Sequence, residues 1–102
     1  MVDDRTICRT SAKGKQPTSI PTWKYTFVRA AILRVVPCEE PGIPAKDLPR
    51  LIRPLLSAEV LERLGSVSWH TTTVKLNMEA LGELRRITGL TPQHVCKNDV
   101  VT

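Results

Sequence analysis

The residues of this chain best suited to metal or nucleophilic chemistry are its two histidines and three cysteines. In His94-Val95-Cys96 a histidine and a cysteine lie two positions apart, so on a β-strand they would share one face and could supply two metal ligands. A stable zinc site needs about four ligands, and no CxxC or HxxxH spacing supplies the others. Cys38 precedes Glu39 and Glu40, whose charges disfavour a thiolate. We therefore expect neither a metal site nor a nucleophilic cysteine.

The sequence also lacks the common phosphate-binding and acid–base motifs. The glutamates form no pair at a spacing typical of catalytic carboxylates, and neither GxGxxG nor GxxxxGK[ST] occurs. The three cysteines are odd in number and widely spaced, unlike a disulfide framework, so reduced thiols are expected. These observations predict that the protein is not an enzyme and uses no cofactor.

Positive charge is the clearest chemical signal in the chain. The formal net charge is +5 and the isoelectric point is near 9.5. Clustered Lys and Arg side chains bind phosphates because they release condensed counterions, so an anionic partner such as double-stranded DNA is expected. Part of this charge could serve only to solvate a polar N-terminal segment, which contains Arg5, Arg9, Lys13 and Lys15.

The elements that would position these groups begin after that segment. Residues 1–21 mix polar residues, Gly and Pro without apolar periodicity, which predicts a flexible arm. A helix is expected over residues 23–36, with Thr22 as its cap and Pro37 as its end. No apolar run approaches the roughly 20 residues of a membrane span, and the acidic N-terminus is unlike a secretory signal. A cytoplasmic location without membrane contact is the expectation.

Two short helices should follow a turn at Pro41-Gly42. Ile43 could pair in an extended conformation, and apolar spacing then indicates a helix over residues 45–56 that its prolines keep short. Ser57 is placed to cap a brief helix over residues 58–64.

A third main helix is predicted over residues 68–81, opened by Ser66 or Ser68 and ended by Gly82. On a helical wheel one face is expected to pack against the core. It contains Trp69, Thr73, Leu76, Asn77, Ala80 and Leu81. The opposite face is expected to point outward and contains Thr71, Thr72, Lys75 and Glu79.

The C-terminal region indicates a β-hairpin. Residues 83–88 and 93–97 can form two strands around Gly89-Leu90-Thr91-Pro92, and residues 98–102 should be a frayed tail. The predicted fold class is therefore mainly α with a small C-terminal hairpin, an α+β domain over residues 22–97. Its core must be largely aliphatic, because aromatic residues are only 4% of the chain. The two tryptophans, Trp23 and Trp69, are each expected to close an end of this core.

This order of helix, short strand, helix, helix and hairpin resembles the winged helix-turn-helix superfamily, as does the junction Met78-Glu79-Ala80-Leu81-Gly82-Glu83-Leu84-Arg85-Arg86. The stretch from Pro41-Gly42-Ile43 through Trp69-His70-Thr71-Thr72-Thr73-Val74-Lys75-Leu76-Asn77-Met78-Glu79 is also similar to small bacterial domains of unknown function. The resemblance implies three main helices and a wing, with the third helix in the major groove and the wing on the DNA backbone. The DNA-binding residues that it implies are Thr71, Thr72, Lys75, Arg85, Arg86 and Lys97.

The alternative is a module that binds another protein or a second copy of itself. The third helix carries only a modest charge, because Glu79 lies one turn after Lys75 and would oppose a phosphate. In that case an exposed apolar face is expected, formed by Val60, Leu61, Leu64 or Met78.

Overall fold

Four α-helices and two antiparallel sheets form the computed structural model, which describes residues 4–9 and 16–98. The helices of this α+β domain are α1 (Thr22–Val35), α2 (Leu48–Ile52), α3 (Ala58–Leu64) and α4 (Val67–Ala80). The strands are β1 (Arg5–Cys8), β2 (Thr18–Pro21), β3 (Ile43–Pro44), β4 (Leu84–Ile87) and β5 (His94–Lys97). Short 3₁₀ turns extend α2 at both ends, at Ala45–Asp47 and Arg53–Leu55.

Serine caps start the two helices that precede the hairpin. The Ser57 hydroxyl accepts a hydrogen bond from the backbone N–H of Val60 at 3.1 Å, and the Ser66 hydroxyl accepts one from Trp69 at 3.0 Å. Each cap satisfies a backbone donor that the first turn of a helix leaves free. Between them Gly65, at φ +86°, separates α3 from α4. These features confirm the predicted starts of both helices.

The three-stranded sheet has the order β3-β5-β4, so the C-terminal strand lies in its centre. Ile43 pairs with Val95 on one side of β5, and Arg86 pairs with Val95 on the other. The predicted hairpin and the predicted extended pairing of Ile43 are therefore confirmed.

The N-terminal sheet corrects the prediction of a flexible arm over residues 1–21. β1 and β2 are antiparallel, and their side chains Cys8 and Ile20 are buried in the core. Each strand buries one apolar side chain, too few to produce an apolar periodicity in the sequence. Of this predicted arm, residues 1–3 and 10–15, which include Lys13 and Lys15, lie outside the described residues, as do residues 99–102 of the predicted tail.

The core is aliphatic, as expected. Its fully buried side chains come from all four helices and the three-stranded sheet, and include Ile32, Leu48, Ile52, Leu64, Val74, Met78, Leu84 and Val95. Among the described residues, no helix combines the length and apolarity that crossing a membrane requires.

Candidate functional site

Helix α4 is rotated relative to the predicted wheel, which corrects the assignment of its faces. Thr71 is 1% exposed and its hydroxyl donates to the carbonyl oxygen of Val67 at 2.6 Å. Lys75 is 7% exposed, whereas Trp69, expected in the core, is 47% exposed. The inward side of the helix contains Val67, His70, Thr71, Val74, Lys75, Asn77 and Met78. Two of the residues expected to contact DNA, Thr71 and Lys75, therefore face the protein interior.

Glu79 holds two of the cations that were expected to bind phosphate. Lys75 Nζ lies 2.6 Å from Glu79 Oε2, and Arg86 Nε donates to the other carboxylate oxygen. The Glu79 and Lys75 side chains are both almost fully buried, while Arg86 is about half exposed. A buried carboxylate is stabilised when charged donors pair with it, so this cluster ties α4 to β4.

The two remaining hairpin cations are also bound within the protein. Arg85 Nη1 pairs with Glu40 Oε2 at 3.1 Å, and Lys97 Nζ donates to the carbonyl oxygen of Leu33 at 3.0 Å. Arg85 and Arg86 are neighbours on a strand, so their side chains point to opposite faces. The hairpin cations therefore do not form one patch. Of the three α4 residues that were predicted to bind DNA, only Thr72 is exposed.

A further cation on α1 shows the same internal pairing. Arg29 Nε and Nη2 donate to the two carboxylate oxygens of Glu83, at 3.1 Å and 2.7 Å. These hydrogen bonds raise the pKa of the Arg29 guanidinium. The pair fixes α1 to the start of the hairpin. Because Arg29 is bound to Glu83, it is not free to bind an external anion.

The outward face of α4 is uncharged. Ser68, Trp69 and Thr72 are exposed, and Thr73 and Leu76 are half-buried. Trp69 stacks edge-on against the His70 ring, with 4.8 Å between ring centroids. The face presents hydroxyl groups, methyl groups and one indole. It can make polar contacts with a partner, because none of these side chains is a carboxylate that would repel an anion.

Beside this face lies a cluster of cations that the sequence analysis did not single out. Lys46, Arg50 and Arg53 line one depression of about 350 Å³ together with Pro49 and with Val67 and Ser68 at the start of α4. We call these three cations the basic corner. Their spacing of four and three residues, which places side chains on one face of a helix, was the signal that could have identified them.

The cations of the basic corner are largely free of internal partners. Arg50 approaches Asp47 at 3.7 Å, but its side chain is 71% exposed, so the pair is weak. In the described part of the chain, Lys46 and Arg53 form neither an ion pair nor a side-chain hydrogen bond. These three side chains are available to an external anion.

The groups considered for metal or thiol chemistry are apart from this surface. Cys96 Sγ donates to the Glu39 carbonyl oxygen at 3.2 Å, and His94 Nδ1 lies 2.7 Å from the carbonyl oxygen of Pro92. Burial raises the pKa of the Cys8 thiol. No cluster of three His, Cys, Asp or Glu side chains within the described ranges is arranged to hold a metal.

The apolar residues proposed for protein contacts are also placed differently from expectation. Leu64 and Met78 are fully buried, and Val60 and Leu61 are half-buried. Large apolar side chains that reach the surface include Trp23 and Phe27 on α1, Trp69 on α4, and Leu81 just after α4. Both tryptophans thus lie at the surface, which corrects their assignment to the ends of the core.

Comparison with known proteins assigns the chain to a family. No curated protein and no solved structure matches it. One family model, described as a family of unknown function (DUF6958), matches residues 5–95 and so includes the N-terminal sheet as well as the helices and the hairpin. Because the match covers most of its length, the chain belongs to the family of unknown function DUF6958.

Proposed function

We propose that this protein binds double-stranded DNA, with the basic corner on the phosphate backbone and the outward face of α4 on the base edges. The observation that carries the proposal is that Lys46, Arg50 and Arg53 converge on one depression at the start of α4. Exposed cations beside an exposed helix face are the combination that lets a helix enter the major groove while its neighbours neutralise phosphates.

The arrangement of elements supports a winged helix-turn-helix domain as the framework. A strand between α1 and α2 pairs with the last strand of a C-terminal hairpin, in the sheet order β3-β5-β4. In this framework α4 is the recognition helix. The base contacts fall to Ser68, Thr72 and Thr73, whose hydroxyl groups suit base edges, and to Trp69, whose indole suits the thymine methyl group.

The hairpin has a smaller role in this proposal than the family resemblance implies. Arg85, Arg86 and Lys97 are bound to Glu40, Glu79 and Leu33, so the wing offers few free donors. Arg86 keeps about half of its side chain exposed and could add one phosphate contact.

The proposal is tested by measuring binding to a fluorescein-labelled duplex by anisotropy between about 50 and 200 mM salt. Three phosphate contacts would make the logarithm of affinity fall against the logarithm of salt concentration with a slope of about −2.7. The double variant R50Q/R53Q removes two of the three phosphate contacts, so the magnitude of its slope should be smaller by about 2.

A matched control removes the same charge elsewhere. Arg9, which follows β1, and Arg34 on α1 are exposed cations outside the basic corner, and R9Q/R34Q should keep most of the slope. Equal losses in the two variants would mean that only net charge matters, and absence of binding by the wild type at low salt would overturn the proposal.

Binding to another protein is the second candidate function. It is favoured by the neutral character of the outward face of α4 and by Leu81, which is 65% exposed just after the helix. A photo-crosslinking amino acid in place of Thr72, introduced in cells, separates the two candidates. Adducts with nucleic acid support DNA binding, and adducts with a protein support the second candidate.

A further inference from the structure

An aromatic ridge protrudes from α1, remote in sequence from the basic corner. Trp23 and Phe27 lie one helical turn apart and are 37% and 49% exposed. Their rings meet edge to face, with 6.3 Å between centroids and 75° between planes. Lys24 Nζ, which donates to the Leu64 carbonyl oxygen, lies 5.6 Å from the centroid of the Trp23 ring and helps to hold it.

This ridge borders a groove against α3. The groove has a volume of about 420 Å³ and is lined by Trp23, Phe27, Ser57, Glu59, Val60 and Arg63. Its size falls in the range of about 300–1,000 Å³ that holds drug-sized molecules, so it has room for an aromatic side chain. The face therefore offers both an apolar projection and an apolar depression.

The charges at the edge of the groove are self-complementary. Glu59 and Arg63 lie one turn apart on α3, at 3.9 Å from each other, and each side chain is more than two thirds exposed. If two copies of α3 lie antiparallel about a two-fold axis between these residues, each Glu59 faces the partner's Arg63. A symmetric interface requires such a patch, because the same surface meets itself.

We infer that a second copy of this chain occupies the groove, in a two-fold dimer in which the Trp23–Phe27 ridge of each copy enters the α3 groove of the other. Apolar contact supplies the attraction, and the two Glu59–Arg63 pairs set the antiparallel orientation. The inference is independent of DNA binding, since it uses a different surface and its test requires no DNA.

The test measures the molar mass of the full chain by light scattering and sedimentation over a series of concentrations. The wild type should form a dimer. E59R places like charges at both ends of the contact, as does R63E, so each single variant should dimerise about tenfold more weakly or worse. We expect the dimer to recover in the double variant E59R/R63E, because it restores opposite charges across the axis. For the same reason an equimolar mixture of the two single variants should form a heterodimer.

Substitution of the ridge provides a second readout. W23A and F27S alter exposed side chains, so circular dichroism should show an unchanged fold while the dimer weakens. As a matched control, W69A removes an exposed indole outside this groove and should leave the dimer intact. The inference would be overturned if the wild type stayed monomeric at all concentrations. It would also be overturned if W69A disrupted the dimer and the charge variants did not.

Discussion

Polar side chains on α4 turn inward because partners close in space satisfy them. The Thr71 hydroxyl bonds to a carbonyl oxygen one turn earlier, and Lys75 bonds to a carboxylate one turn later. A satisfied hydroxyl or ion pair loses most of its penalty for burial, and the methylene groups of lysine pack as apolar surface. Polarity on a helical wheel therefore does not by itself identify the solvent side.

Replacing Glu79 tests whether its cluster is structural. E79A would leave Lys75 buried without its carboxylate, and we expect the free energy of unfolding to fall by about 3 kcal/mol. The matched control is E62A on α3, where the glutamate is exposed and the change should stay within about 0.5 kcal/mol. Chemical denaturation measures both. Equal stabilities for E79A and the wild type would contradict a structural role for the Glu79 cluster.

The single tyrosine offers a direct test of burial at the junction of α1 and α4. Burial is the main cause that raises the pKa of Tyr25 above its ordinary value of 10.0, and the hydrogen bond from Asn77 Nδ2 to its hydroxyl, at 2.7 Å, partly opposes this shift. The neutral phenol is favoured in the folded state, so stability is unaffected below pH 10 and falls as pH rises through the folded pKa.

Alkaline titration followed by phenolate absorbance should therefore give a higher midpoint in the native protein than in urea. Because the chain has one tyrosine, the signal has a single source. Identical midpoints in the two conditions would show that the phenol is not desolvated by folding.

At the scale of elements, local signals predicted the starts of α3 and α4 well and the orientation of α4 poorly. The predicted cap of α1 was wrong, because Thr22 is the first residue of that helix and Pro21 holds the cap position without a side-chain hydrogen bond. The serine caps at Ser57 and Ser66 and the break at Gly65 act within a few residues, so they could be identified from sequence alone. The rotation of α4 depends on Glu79 and on contacts distant in sequence. The basic corner was likewise missed, because which cations remain unpaired depends on tertiary contacts.

Gly42 is expected to be essential to the joint between α1 and the three-stranded sheet. Its φ is +69°, and a Cβ at this position would lie 2.0 Å from the backbone oxygen of Val95. G42A therefore combines backbone strain with a steric clash, and we expect a loss of about 3 kcal/mol in the free energy of unfolding.

The matched control for this substitution is Gly89. It has a similar φ of +85°, but a Cβ there would meet nothing within 4 Å. G89A should cost only the backbone strain of about 1 kcal/mol. Thermal or urea denaturation of the two variants would contradict the steric argument if their stabilities were equal.

At the scale of the whole molecule, the excess positive charge is distributed unevenly. The cations Lys75, Arg85, Arg86 and Lys97 are internally bound around the hairpin, whereas Lys46, Arg50 and Arg53 remain exposed beside the start of α4. A net charge of +5 could not distinguish these surfaces. The cations that remain available to a partner therefore lie mainly at the basic corner and not on the hairpin, where the sequence pattern had indicated them.

The N-terminal sheet should be an integral part of the folded molecule. Its β1 end is fixed by Asn77, whose side-chain oxygen accepts a hydrogen bond from the Arg9 backbone N–H at 2.9 Å, and its β2 strand buries Ile20. I20A would leave a cavity and is expected to lower the free energy of unfolding by about 3 kcal/mol. Ile7 provides the control, because it lies in the same sheet at 55% exposure and I7A should change stability by less than about 0.5 kcal/mol.

The same pair of variants decides between an integral sheet and a detached arm. If the sheet packs as described, a single cooperative transition in urea should shift to lower denaturant for I20A and remain in place for I7A, since one core unfolds as a unit. If residues 1–21 formed a detached arm, neither isoleucine would contact the core and both variants would unfold like the wild type. A large difference between two chemically identical substitutions can arise only from their different burial in the folded chain.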